Sequence, residues 1–184
     1  MFFGNTHSFA IQAIVEPDLV APSAVWGRMS VFCAGLELGD FSERYCGLFS
    51  AFHEFNALSR QLETLWHPSF EGKSDEEILD LLDRAIWGYP GDARTSGQIQ
   101  DDAAVFARFM FLTDWGEQFD GVRRNFIVSN SGTTRVLGRS IGPGTSTSNT
   151  SIHTAVAGFA SWYRQQEIAL GGPGLGLPLT RRPL

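Results

Sequence analysis

Lysine is almost missing from this 184-residue chain: Lys73 is the only one among fourteen basic residues, and it follows Gly72 without the glycine-rich loop that cradles a nucleotide phosphate. Cysteine is nearly as scarce. Cys33 and Cys46 alone exclude a disulfide-dense scaffold and a four-cysteine zinc site. The four histidines, His7, His53, His67 and His153, are scattered, with no H-E-x-x-H spacing for a metal. No apolar run approaches the roughly 18–20 residues of a membrane span, and the first basic residue is Arg28, so no secretory n-region is recognisable. These features lead to an expectation of a cytoplasmic chain with no membrane partner, no metal and no cofactor.

What is present is an ordinary globular balance, 43% hydrophobic and 18% charged residues, at a length suited to one domain. A core at this size can bury about 70% of the unfolded surface, so no covalent staple is required. The net charge of −6 weighs against nucleic acid as a partner. That charge is unevenly placed. Residues 37–120 hold seventeen acids and six bases, whereas residues 121–184 hold one acid, Glu167, and seven arginines. The acidic block reads either as a solvated face or as a face aimed at a basic partner. Within it, segment 71–83 has six acids against one base. Asp75, Glu76 and Glu77 suit a helix start, which leaves Asp80 and Asp83, with Glu76 beside them, as the candidate partner-binding residues.

Hydropathy patterning predicts an α+β domain, an antiparallel sheet with helices packed on one face, over residues 1–170. Strands are expected at 8–16 and 25–33, where Val25, Gly27, Met29, Val31 and Cys33 alternate with polar residues. Ala34-Gly35 turns the chain into Leu36–Leu38. Phe52, Phe55, Leu58, Leu62 and Leu65 form one helical stripe, and Ser74 with Glu77 forms a capping box before a second helix. A short helical piece near 101–109, a strand over 108–113, strands at 125–129 and 134–138, and a Gly/Ser/Thr-rich loop over 142–151 follow. The last helix carries Ile152, Val156, Phe159 and Tyr163 and stops at Gly171. Residues 171–184, with four glycines and three prolines, read as a flexible tail; a tail strand and a fold-back of Arg181 and Arg182 are the competing ideas.

Two patterns bear on catalysis. Gly138-Arg-Ser140-Ile-Gly142 matches the nucleophile elbow G-x-S-x-G, but a loop follows where a helix is needed, and no acid and histidine follow in order. Asp114, Glu117 and Asp120 could share acid and base roles in a small hydrolase or carbohydrate-active enzyme, Glu117 acting with Asp114 or Asp120. Trp115 and Phe119 are interleaved with them and no nucleophile stands beside them, so a structural loop explains the stretch more simply.

Phe9-Ala-Ile, Trp26-Gly27-Arg-Met29, Gly35-Leu-Glu-Leu-Gly39-Asp40-Phe41 and Phe111-Leu-Thr-Asp114-Trp115-Gly116-Glu117-Gln-Phe119-Asp120 together give a chain that resembles the immunity protein 42 family of bacterial polymorphic toxin systems over about residues 3–170. The resemblance implies an α+β protein that is not an enzyme. It implies one partner, a cognate toxin protein encoded beside it, which the chain binds and neutralises. It supplies no catalytic residues; the family-motif residues just numbered are expected to be structural.

Overall fold

The computed structural model describes residues 1–19, 25–122, 124–141 and 145–170. The expected tail and its stop at Gly171 lie outside these residues. Alternating burial makes the first sheet. Phe9, Ile11 and Ala13 of β2 (Phe9–Val15) and Met29, Val31 and Cys33 of β3 (Trp26–Cys33) are all buried, and the two strands pair antiparallel from Phe9↔Cys33 to Val15↔Gly27. β1 (Phe2–Asn5), which the sequence pattern did not announce, adds to the free side of β2. On the other side of β3 lie β4 (Leu36–Leu38) along its second half and β5 (Cys46–Gly47) along its first. Ala34 and Gly35 both have positive φ, 50° and 86°, the backbone a two-residue hairpin requires.

α1 (Leu48–Gln61) and α4 (Asn149–Ala169) pack on this sheet and on each other, with Phe52 stacked on Tyr163 at 4.5 Å. The expected stripes hold. Phe52, Phe55 and Leu58 are buried on α1, and Ile152, Val156, Phe159 and Tyr163 on α4. α1 begins four residues before its stripe, at Leu48, and Leu62–Thr64 tightens into a 3₁₀ turn.

The arrangement is antiparallel α+β, as expected, but the strands divide between two sheets. The second runs β6 (Met110–Phe111), β7 (Asn125–Asn130), β8 (Thr133–Leu137) and β9 (Ser146–Ser148). The strand predicted over 108–113 is cut to two residues because Ala107–Phe109 is a 3₁₀ turn and Leu112 turns to φ 62°. The loop predicted over 142–151 is corrected too. Ser146–Ser148 pairs with Thr133–Arg135, and α4 starts at Asn149, capped by Ser148. α2 (Asp75–Trp87) packs on β8, and α3 (Ser96–Phe106), longer and earlier than the piece expected near 101–109, packs on α2. One apolar cluster runs through both sheets. The buried Asn149 side chain ties the start of α4 to the second sheet and to the turn after α1: its Oδ1 accepts from Ser129 Oγ (3.1 Å) and Thr134 Oγ1 (2.6 Å), and its Nδ2 donates to Glu63 (2.8 Å).

Candidate functional site

The capping box expected at α2 is formed: Ser74 N–H donates to Glu77 Oε2 at 2.7 Å, and Glu77 N–H donates back to Ser74 Oγ at 3.3 Å. Beyond it, the acidic helix meets the basic half of the chain. Asp75 pairs with Arg135, Asp80 with Arg139 at 2.9 Å, and Asp83 with Arg124 at 3.2 Å and Arg139 at 3.6 Å. Arg124 also lies 5.0 Å over the Trp87 ring, and Arg135 lies 5.7 Å over Trp66. Part of the charge asymmetry along the sequence therefore closes on itself as a seam between α2 and the second sheet. Of the three candidate partner-binding residues, Asp80 and Asp83 stand in this seam. Glu76 is exposed and without an ion-pair partner among the described residues. Sequence reasoning missed Arg124, Arg135 and Arg139; the signal was the basic excess after residue 120.

The motif residues occupy places where the backbone comes close to something else. A Cβ on Gly27 would sit 1.9 Å from the Ile14 carbonyl oxygen. Gly39 has φ 104°, and a Cβ there would meet the Phe119 ring at 2.8 Å. The next residue, Asp40, donates its N–H to the Gln118 carbonyl at 2.7 Å and accepts from Ser42 Oγ at 2.6 Å. Buried Gln118 reaches on to Cys46, Nε2 to Sγ 2.9 Å. The Gly39-Asp40 and Gln118-Phe119 pieces, some eighty residues apart, are thus one clamp between β4 and the 3₁₀ turn Glu117–Val122. Trp26 is half-buried and starts β3; Gly116 has φ 143°. Trp115 is half-buried, edge-on to Phe55 (5.0 Å) and Phe111 (5.7 Å).

Asp114, Glu117 and Asp120 are all exposed on this loop, so water surrounds them. Asp114 and Glu117 have no hydrogen-bond or ion partner among the described residues. Ser140 is exposed in the turn after β8, with Ile141 N–H bonded to the Gly138 carbonyl, and a strand comes next rather than the helix an elbow requires. No group of three or more His, Cys, Asp or Glu among the described residues is placed to hold a metal. Cys33 and Cys46 are buried, and burial pushes both thiols up to about 12, which leaves them inert as nucleophiles.

The profile of the family described as Immunity protein 42 matches residues 1–161. The chain belongs to the Immunity protein 42 family. That match spans the clamp and the α2 seam, and it ends inside α4. The fold is also similar to a solved structure, the crystal structure of CdiI from Burkholderia dolosa, with a TM-score of 0.53 at 14% identity, covering 85% of this chain and 96% of that one. At that identity the likeness is one of fold. Among curated proteins no sequence match is found. This Immunity protein 42 member has no helix among the described residues that is long and apolar enough to cross a membrane.

Proposed function

We propose that this protein neutralises a cognate toxin, encoded beside it, by binding the toxin in the cytoplasm rather than by turning over a substrate. The family match over residues 1–161 carries the reading. The net charge of −6 supports it, because an acidic surface steers onto the basic clefts that many toxins use. Residues 1–170 act as one α+β unit in this reading, and 171–184 as an appendage. Glu76 offers its charge outright. Asp80 and Asp83 take part by exchanging Arg139 and Arg124 for cations of the toxin.

A neutralisation titration tests this. Purified toxin from the neighbouring gene is mixed with increasing amounts of the protein, and residual toxin activity is read. A binder silences the toxin at about one molecule per molecule. Complete silencing at a small fraction of that ratio would mean turnover. A folded Glu117→Gln variant losing that turnover would point to the alternative, a hydrolase built on Glu117 with Asp114 or Asp120.

A further inference from the structure

Between α1 and the loop after β6 runs a groove of about 290 Å³. Its apolar lining includes Leu58, Met110 and Trp115. Two carboxylates from different elements share it, Glu54 from α1 and Asp114 from the loop, both exposed. Neither has a hydrogen-bond or ion partner among the described residues. This contrasts with α2, whose Asp75, Asp80 and Asp83 are taken up by arginines of the same chain. Arg108 lines the groove too, but pairs with neither carboxylate: its guanidinium lies 4.8 Å over the Phe109 ring, and Nη2 donates to the Trp66 carbonyl at 3.3 Å.

We propose that this groove receives an arginine side chain of the toxin, an inference that rests on the binding function above. The lining sets apolar side chains beside two unpaired carboxylates, and an arginine matches both. Its methylene stem covers Leu58 and Met110 while the planar guanidinium faces the Trp115 ring and the two carboxylates. An apolar residue would desolvate Glu54 and Asp114 without pairing them, and an acidic one would be repelled. The larger cleft between α2 and α3 has no such preference, since Lys73, Arg84 and Arg94 line it against Glu77, Asp80 and Asp102, three charges of each sign.

The test removes the two charges at constant shape, with Glu54→Gln and Asp114→Asn combined. Asparagine tolerates the φ of 62° that Asp114 adopts, so the fold is retained and the melting temperature checks it. A control variant, Glu37→Gln with Glu71→Gln, removes the same charge at two exposed positions outside the groove lining. Affinity for the neighbouring-gene toxin should fall at least tenfold in the groove variant and change little in the control. Equal losses would mean that only the overall field matters, and an unchanged groove variant would place the contact elsewhere; either result overturns the groove. Should the wild-type protein not bind that toxin at all, the binding function fails for that pair, and N-acetyl-arginine amide decides the groove separately. At millimolar concentration it should shift the Trp115 indole resonance of the wild type, while the citrulline analogue should not. A silent Trp115, or equal shifts in the groove variant, refutes the proposal; a stronger response to the lysine analogue reassigns the occupant.

Discussion

Single residues in the family motif are constrained by space more than by charge. Gly39 shows this best: its positive φ strains any side chain, and the Phe119 ring fills the place a Cβ would take. Gly39→Ala should cost about 1–3 kcal/mol, from the left-handed backbone and the ring displacement together, measured by urea unfolding. Trimming the partner as Phe119→Leu in the same chain should recover only the steric part. The two buried thiols give a second expectation. Burial raises each from its usual 9.0 to about 12, so the folded state holds protons that the unfolded chain releases. Stability should be indifferent to these groups below pH 9 and fall as pH rises from 9 to 12. Thiol-specific reagents at pH 8 should label neither cysteine until the protein is unfolded. The sequence showed glycines and aromatics in the stretches that resemble the family but not what they do, because the Gly39–Phe119 contact exists only once residues eighty apart are brought together.

Elements with their own start signals and strong periodicity were legible, and those completed by a distant partner were not. α2 announced itself with Ser74 and Glu77, and β7 and β8 with the strand patterns at 125–129 and 134–138. β9 is Ser-Thr-Ser, with no alternation to read; it is a strand because Thr133–Arg135 pairs with it and because Ser8 bonds both Thr147 and Ser151 across to the first sheet. α3 has a second capping box, Thr95 with Gln98, but no fully buried residue, which explains its weak sequence signal. It is tethered by Arg94, which bonds Asp92, Asp102 (2.6 Å) and the Arg84 carbonyl (2.6 Å). Arg94→Ala should therefore speed amide exchange across 96–106 by roughly tenfold, the loss of about one charge-assisted hydrogen bond, while α1 stays protected. The same tether is acid-sensitive. Arg94 holds the Asp92 carboxyl down at about 2, so the contact contributes fully above pH 3.8 and is lost as pH falls through 2.

Across the whole molecule, the two halves of the sequence carry opposite charge, and folding lays part of one against the other. The sequence showed the asymmetry and suggested an external basic partner; the internal partners, Arg124, Arg135 and Arg139, emerged only when β7 and β8 were placed beside α2. Asp80→Asn with Asp83→Asn separates these two uses of one charge. The ion pairs are largely solvent-facing, with Arg139 68% and Arg124 54% exposed, and such pairs contribute about 0–1 kcal/mol each. At roughly 2–4 °C per kcal/mol for a chain of this size, the melting temperature should fall by several degrees at most. Association with a basic toxin responds differently, because the variant loses two negative charges and also exposes two unopposed arginines, and its rate should fall at low salt and converge with wild type at high salt. If the melting temperature drops while the association rate matches wild type at every salt concentration, Asp80 and Asp83 hold the molecule together and take no part in capture. Recognition then rests on carboxylates that folding leaves unpaired, with Glu76 on α2 and Glu54 and Asp114 at the groove as the first to replace.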